Sequence, residues 1–377
     1  MVYKGIKVLI TSQKQADETF AELSKLPYVT IDSEFKWIST YAPIPALIQV
    51  GTGDDVFLFD PTEIKDFTSF KEFLEAENCI KIFHSCSQDL ILFHDMCGAV
   101  TAPIFDTQVA FAFLNRKHQI GYSGLVEELL GTTLSKGSQR SDWLRRPLSP
   151  KQMEYAKNDV IYLHKCYNTL IKSLTDLHRI DWVKSECGLY TADSFYKPVK
   201  PQNVYRSLKG VGRLNRDQLA IMRELCAWRE EVAQKINVRP RKLLAEETLF
   251  SIVYKVPRNT HDLKKCRGIS SLTMRHNSRD IIDCIDTGLS LDEFQKPPLI
   301  EQRVPSKEEE NVSQKLYERI DDLGSQMNIA TAVLLTRQDC KRIAHWHCEQ
   351  LNLDFKFLSP WRLSLLEEDI MDVLDKK

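Results

Sequence analysis

The sequence predicts an α/β domain, with a mixed sheet flanked by helices, followed by two small all-α domains. Three observations support this prediction. A chain of 377 residues is too long for one ordinary core, strand-like and helix-like patterns alternate up to about residue 190, and strand patterns then cease. The content of 43% hydrophobic and 27% charged residues is that of globular proteins, which excludes collagen-like and largely disordered chains.

Local patterns place the elements of the α/β domain. Short apolar runs predict strands at 7–10, 28–35, 46–50, 56–59 and 80–83. Helical periodicity predicts helices at 16–26, 67–75, 87–96 and 107–114. The segment from Gly51 to Asp55 is typical of a hairpin turn. Ser149 and Pro150 predict the start of a helix running to about residue 174, because serine caps helices and proline fits their first position.

Composition shifts predict the domain boundaries. The α/β domain is expected at 1–195, and prolines mark a linker at 196–210. A helical domain is expected at 211–295, where residues 215–236 form an amphipathic helix. A second linker, rich in Pro and Glu, covers 296–310 and leads to a second helical domain at 311–377.

The cysteines and the apolar runs indicate the cellular compartment of the protein. The ten cysteines form no C-x-x-C pair, which favours reduced thiols over a disulfide framework or a zinc site. The apolar runs are shorter than the roughly 20 residues of a membrane helix, and the first residues do not follow the pattern of a signal peptide. We therefore expect a cytoplasmic protein without a membrane partner, and we infer no obligate protein partner.

The net charge of −1 conceals an uneven distribution. Residues 191–275 contain 18 Lys and Arg against 8 Asp and Glu, whereas residues 301–377 contain 11 against 15. A solvated basic surface would explain the first count, but this density favours binding to a nucleic acid, whose phosphates attract clustered cations.

Two acids stand on one predicted strand. Asp32 and Glu34 are two residues apart, so both side chains leave the same face of the strand. Adjacent carboxylates repel each other unless a cation lies between them, and hard divalent cations prefer such oxygens. The alternative is a strand that simply exposes this face to solvent.

Further acids follow at helical positions. Asp89 lies in the first turn of a predicted helix, where an acid is also favoured by the free backbone N–H groups alone. Tyr155 and Asp159 are four residues apart and share one face of the long helix, although an exposed pair would show the same spacing. His84 precedes Asp89 and is interpreted as a core or hydrogen-bonding residue.

The acids and their surroundings resemble the DEDD family of 3′→5′ exonucleases, in its tyrosine subgroup, and more narrowly the ribonuclease D family. The segments that carry this resemblance are YVTIDSEF, KIFHSCSQDL, IFDTQVAFAFL, GYSGLVEELLG and SDWLRRPLSPKQMEYAKNDVIYL. The segment LNRDQLAIMRELCAWREEVAQKINVRPRKLL is similar to an HRDC domain. The resemblance implies a ribonuclease H-like exonuclease domain, an HRDC domain at 211–295 and a diverged HRDC-like domain at 311–377.

The resemblance also implies a mechanism. Asp32, Glu34, Asp89 and Asp159 are expected to bind two divalent metal ions, Mg²⁺ or Mn²⁺, and Tyr155 is expected to position or deprotonate the attacking water. Asp106 is assigned a supporting role as the cap of the helix that begins at Thr107. The expected activity is 3′→5′ hydrolysis of RNA to nucleoside 5′-monophosphates, with 3′-extended tRNA precursors as substrates. A DNA exonuclease and a non-catalytic RNA-binding protein are the alternatives.

Basic and aromatic residues are candidates for RNA contacts. The basic candidates are Arg140, Arg145, Arg146, Arg213, Arg216, Arg239, Arg241 and Lys242. Phe35, Trp37 and Trp143 are candidates for stacking on terminal bases, with a place in the core as the alternative.

Overall fold

The predicted strands form one mixed sheet in the computed structural model, which describes residues 5–37, 39–53, 55–134, 137, 139–300 and 303–375. Its six strands are β1 (Gly5–Ile10), β2 (Tyr28–Lys36), β3 (Ile44–Gly51), β4 (Asp55–Phe59), β5 (Ile80–Phe83) and β6 (Ile104–Asp106). Their order is β1-β4-β3-β2-β5-β6. β3 and β4 are antiparallel, as the hairpin prediction requires, whereas β2, β5 and β6 run parallel. The three-residue strand β6 was not predicted, because so short a run has no periodicity.

Helices cover both faces of this sheet. They are α1 (Gln13–Leu23), α2 (Thr68–Leu74), α3 (Ser87–Cys97), α4 (Thr107–Ala112), α5 (Tyr122–Leu130), α6 (Pro150–Asp176), α7 (Ile180–Gly188) and α8 (Asp193–Tyr196). The start of α6 confirms the prediction: Ser149 and Gln152 form a reciprocal capping box, and Pro150 is the first helical residue. Helix α3 ends at Gly98, whose φ of 68° suits glycine. Helix α5 was not predicted.

The next part of the chain, residues 197–300, is the first helical segment. Its helices are α9 (Arg216–Lys235), α10 (Pro240–Leu243), α11 (Glu246–Lys255), α12 (Thr260–Leu263) and α13 (Ser271–Ser290). Part of the predicted linker at 196–210 is structured, because Pro201–Ser207 forms a 3₁₀ helix. Its Tyr205 is only 2% exposed and belongs to the core of this segment.

Residues 303–375 form the second helical segment. Its helices are α14 (Lys307–Met327), α15 (Thr331–Leu334), α16 (Arg337–Cys348) and α17 (Pro360–Asp375). Ser306 and Glu309 form a capping box at the start of α14, so the helix begins inside the predicted linker at 296–310.

The described residues group into two compact units. One unit comprises the chain up to Lys36, Pro45–Tyr196 and the chain from Pro305. The other comprises Trp37–Ile44 and Lys197–Val304. The second helical segment thus shares a unit and a hydrophobic core with the α/β domain. The short segment Trp37–Ile44, predicted within the α/β domain, groups instead with the first helical segment. Among the described helices, we find none that is both long and apolar enough to cross a membrane.

Candidate active site

Strand β2 presents the first two acids. Val29 and Ile31 point into the main core, so the alternate side chains of Thr30, Asp32 and Glu34 share the opposite face. The hydroxyl of Thr30 lies 2.9 Å from the carbonyl oxygen of Val160 in α6. Helix α6 therefore packs against the face of the sheet that carries the acids.

Gly51 permits this close packing. A Cβ atom at Gly51 would lie 2.6 Å from Oγ1 of Thr30 and 3.0 Å from Cβ of Val160. A larger residue at this position would push α6 away from the strand. The approach is important for the site because α6 also carries Tyr155 and Asp159.

Three of the four predicted metal ligands converge. Asp32, Glu34 and Asp159 each offer a carboxylate oxygen, and these three oxygens lie within 4.8 Å of one another. The hydroxyl of Tyr155 donates a hydrogen bond to Asp159. The carboxylate of Asp89 is outside this group of three and accepts a hydrogen bond from the hydroxyl of Ser33, which separates the two acids of β2.

The pKa values of all four acids are raised. Burial is the main cause, and repulsion adds to it: the pKa of Asp32 is raised by burial and by Asp159, and that of Glu34 reaches about 10 through burial and its acidic neighbours. Burial and Asp32 raise the pKa of Asp89 to about 8. Burial raises the pKa of Asp159 to about 7, although the hydrogen bond from Tyr155 opposes the shift.

This electrostatic strain fits a divalent cation. Carboxylates that are half-buried or buried at such close range resist ionisation. A hard dication among them would offset both their mutual repulsion and their loss of solvation. All the converging donors are carboxylate oxygens, the ligands that Mg²⁺ and Mn²⁺ prefer. The donor set therefore fits the metal that the resemblance implies.

Asp106 holds the turn before Asp89. It caps α4 by accepting from the backbone N–H of Gln108 at 2.8 Å, as the sequence predicted. Its carboxylate also accepts from the N–H groups of Ser85 at 3.0 Å and Cys86 at 2.8 Å. One buried side chain thus fixes two helix starts.

Two of the arginines predicted to contact RNA also bind neighbouring protein groups. Arg146 forms a bidentate ion pair with Asp60, whose side chain is 1% exposed, and also donates to the carbonyl oxygens of Ala46 and Trp143. Arg216 pairs with Glu293 at 2.9 Å and donates to the carbonyl oxygens of Lys296 and Pro297. Both guanidinium groups are committed to neighbours that the sequence pattern does not reveal. The exposed members of the set are Arg140, Arg145, Arg213, Arg239, Arg241 and Lys242.

The three aromatic residues predicted to stack on bases differ in their exposure. Trp143 is 3% exposed and packs near Tyr155 at a ring distance of 5.9 Å, so it belongs to the core and does not stack on an exposed base. Phe35 packs against the main core. Trp37 is 46% exposed, with the guanidinium of Arg239 5.2 Å from its ring.

The sequence interpretation missed the contribution of Ser33 and Thr30. Ser33 stands between the two acids of β2, and its hydroxyl binds Asp89. Strand alternation places Thr30 on the face of the acids and so gave a signal for its contact with α6. No comparable local signal pairs Ser33 with Asp89, because these residues lie 56 positions apart.

Known proteins share both the motifs and the whole fold. Family models for the 3′→5′ exonuclease domain and the HRDC domain match residues 8–175 and 218–285. Ribonuclease D of Pseudomonas paraeruginosa is 38% identical over 280 residues, which are 74% of this chain and 74% of that protein. Ribonuclease D of Acidiphilium cryptum is 30% identical over 366 residues, which are 97% of this chain and 92% of that protein.

A solved structure agrees along the full chain. The crystal structure of Escherichia coli RNase D, an exoribonuclease involved in structured RNA processing, covers 100% of this chain and 99% of that chain with a TM-score of 0.88 and 26% identity. The predicted nuclease domain and the first HRDC domain are confirmed, whereas the HRDC-like character of the second helical segment stays a prediction. An exonuclease domain of this DEDD type implies dependence on divalent cations. The chain belongs to the ribonuclease D family of hydrolytic 3′→5′ exoribonucleases.

Proposed function

We propose that the chain hydrolyses RNA from the 3′ end by a two-metal-ion mechanism and releases nucleoside 5′-monophosphates. The observation that carries this proposal is the convergence of Asp32, Glu34 and Asp159. With Asp89 they would hold two divalent cations, Mg²⁺ or Mn²⁺, whose four positive charges they balance. When bound, such ions supply Lewis-acid chemistry that activates a water and stabilises the departing 3′ oxygen.

Tyr155 orients the attacking water in this proposal. Burial, and then the charge of Asp159, raise the pKa of the Tyr155 hydroxyl well above its usual range, so the group stays protonated at neutral pH. It donates to Asp159 and can accept from a water through its oxygen. Of its two predicted roles, positioning is therefore favoured over deprotonation.

We propose 3′-extended tRNA precursors as the substrate class and the cytoplasm as the place of action. The tRNA assignment follows from the family resemblance. Buried thiols outside any disulfide, such as Cys79, Cys166 and Cys187, suit a reducing compartment. A single chain supplies all four acids, so we propose that no obligate protein partner completes the site.

We also propose the predicted domain division, with the second helical segment as a diverged HRDC-like domain. From α9 and from α14 onward, the two helical segments follow the same order: a long helix, a one-turn helix, a helix of medium length, another single turn, and a long helix. In the second segment the later single turn is a 3₁₀ helix, Phe355–Phe357.

A strand-cleavage assay tests the proposed activity. Labelled single strands of RNA and DNA are incubated with Mn²⁺ or with EDTA, next to a tRNA that carries a 3′ extension. We expect metal-dependent release of mononucleotides from both RNAs, with trimming of the tRNA ending near its mature 3′ end. Cleavage of DNA alone, or retarded strands that remain uncut, would contradict the proposal.

Substitution of one ligand connects the activity to the site. Asp159→Ala should lower the cleavage rate by about a thousandfold or more, because the ions lose a ligand and the water loses its orientation. Asp181→Asn is the control, because the side chain of Asp181 is 83% exposed and pairs with Lys184 on the surface. Equal activity of the two variants would show that the site lies elsewhere.

A further inference from the structure

Asp89 and Asp159 lie on different helices. The relative placement of α3 and α6 therefore decides whether both carboxylates can serve one metal centre. Helix α3 follows strand β5, whereas α6 follows helix α5 along the chain, so some contact must fix the distance between the two helices. A chain of hydrogen bonds behind the acids, most of them partly buried, makes this connection.

The connection begins at Tyr122, the first residue of α5. Its hydroxyl lies 2.6 Å from the carbonyl oxygen of Asp159 and 2.9 Å from that of Asn158. The only proton of the hydroxyl is thus directed at the turn of α6 that carries the acid. Tyr122 restrains the backbone of Asp159 without touching its carboxylate.

His84 continues the connection. Its Nε2 lies 3.0 Å from the carbonyl oxygen of Ile120, two residues before Tyr122, and its Nδ1 lies 3.0 Å from Oγ1 of Thr107. A carbonyl oxygen only accepts, so Nε2 carries the proton. The imidazole thereby joins the entry to α5 to the entry to α4.

Asp106 completes the connection. It directly precedes Thr107, and its carboxylate accepts from the backbone N–H groups of Ser85 and Cys86. These two residues form the turn into α3, where Ser85 has a φ of 61°. Asp89 follows as the third residue of that helix. The bonds therefore lead from the backbone of one acid to the helix of the other.

We propose that Tyr122 and His84 are positioning residues that hold Asp159 and Asp89 at the separation that the divalent cations require. The inference rests on the proposed function, since it assumes that both acids serve one metal centre. If the same bonds served only to stabilise the fold, their removal would lower the melting temperature and leave metal affinity unchanged.

Tyr122→Phe removes one oxygen atom and keeps the ring. We expect Mn²⁺ binding to the RNA-free protein, measured by calorimetry, to weaken about tenfold, the lower end of the effect of groups that orient metal ligands. The cleavage rate should recover at saturating Mn²⁺, and the KM for RNA should stay unchanged. All measurements are made well below the melting midpoint of each variant, so that unfolding cannot imitate weaker binding.

Tyr28→Phe is the matched control. The Tyr28 hydroxyl also bonds to α6, at 3.2 Å from Oδ1 of Asn168, nine positions after Asp159. We expect wild-type Mn²⁺ affinity for this variant. His84→Asn should weaken Mn²⁺ binding like Tyr122→Phe, and the double variant should lose less than the sum of the two, since both residues act through one connection.

The outcomes separate this inference from the proposed function. Wild-type Mn²⁺ affinity in Tyr122→Phe, or equal weakening in Tyr28→Phe, would overturn the positioning role. The proposed function is tested by Asp159→Asn: if that variant still binds Mn²⁺ and cleaves RNA as the wild type does, the metal assignment itself fails. Loss of metal in Asp159→Asn together with intact binding in Tyr122→Phe overturns only the positioning role.

Discussion

The two helical segments have the same order of helices but different surroundings. The first segment has a core of its own, built around residues such as Leu225 and Ile252. The second segment contributes Leu316, Ile320 and Leu366 to the core of the α/β domain. Helix order alone therefore does not decide whether a segment forms an independent unit; the distribution of its apolar side chains does.

Polar contacts show how closely the second segment is bound to the nuclease. Arg179 donates to the carbonyl oxygens of Phe113, in the α/β domain, and Met327, at the end of α14. Trp361 stacks on Trp182 at a ring distance of 5.0 Å, and its Nε1 donates to Glu186. These contacts, which are buried or partly buried, stabilise the unit that contains the four acids.

The two helical segments also differ in net charge. The excess of Lys and Arg lies in the first helical segment, whereas the second is acidic. In the second segment several cations pack on aromatic rings, such as Arg337 on Tyr317 and Arg342 on Phe357. This difference in charge predicts that the first segment binds phosphates, whereas the second supports the nuclease by packing against it.

Core substitutions should show the largest difference between the two segments in their effect on the nuclease. Leu366→Ala should destabilise the nuclease by about 2–5 kcal/mol, because it leaves a cavity in the shared core. Leu225→Ala should cost a similar amount in the first segment and leave cleavage of short RNA intact. Urea unfolding followed by circular dichroism and by residual cleavage measures both. An unchanged midpoint of nuclease activity in Leu366→Ala would show that the second segment does not stabilise the nuclease through a shared core.

Without metal, the four acids should lower the stability of the nuclease unit only. The size of this loss should depend on pH. The pKa values of Asp89 and Asp159 in the folded protein, about 8 and about 7, lie above their ordinary value of 3.8. The folded state then binds more protons than the unfolded state, so the stability that these groups contribute is full below pH 4 and is lost as the pH rises through 7 to 8.

Asp159→Asn should therefore raise the stability of the metal-free protein at pH 8 by on the order of 1–3 kcal/mol. Mn²⁺ should stabilise the wild type at pH 8 and have little effect on the variant. Denaturant unfolding in EDTA and in Mn²⁺, at pH 6 and pH 8, measures these differences. The unfolding transition of the first helical segment serves as the internal control. If Mn²⁺ shifted the midpoint of that transition too, the effect of the metal would not be confined to the nuclease unit.

Local signals predicted the elements that carry the acids. Alternation placed Asp32 and Glu34 on one face of β2, and the capping residues at Ser149 fixed the start of the helix that bears Asp159. That Asp32, Glu34 and Asp159 come together could be predicted only through the family resemblance. The physical cause, a glycine at position 51 that lets α6 approach β2, involves residues far apart in sequence.

Contacts between residues far apart in the sequence have no such local signal. Arg146, which stays a predicted RNA contact, binds Asp60, which lies 86 positions away. The attachment of the second helical segment depends on pairs such as Arg116 and the carbonyl oxygen of Ile329, which are 213 positions apart. Neither pairing has a signal in a single sequence.

Neutralising the basic surface of the first segment should weaken RNA binding by an intermediate amount. The triple variant Arg239→Gln, Arg241→Gln and Lys242→Gln should bind long RNA about tenfold less tightly, and its salt slope should fall by roughly 0.7 for each phosphate that is no longer neutralised. Exposed lysines of the second segment supply the control: Lys315→Gln, Lys341→Gln and Lys356→Gln. Fluorescence anisotropy at several salt concentrations measures both. Equal weakening in the control would mean that both segments contact RNA.

The smallest effect should come from one exposed glutamate in each segment. Glu247 lies in the first turn of α11, 3.5 Å from Arg241, and both side chains are exposed. Glu247→Gln should cost less than about 1 kcal/mol of stability, since an exposed pair and a favourable helix-end charge are each weak. It should raise RNA affinity about twofold, because the substitution removes a negative charge beside Arg241, which is predicted to bind phosphate.

Glu308→Gln is the matched change in the second segment, because Glu308 is also an exposed acid in the first turn of its helix. Its cost in stability should be similar, as both substitutions remove the same favourable charge from a helix start. RNA affinity, measured by anisotropy with the same labelled strand, should not change. An equal gain in affinity from Glu308→Gln would show that RNA also passes along the second segment. The second segment could then not be assigned a supporting role alone.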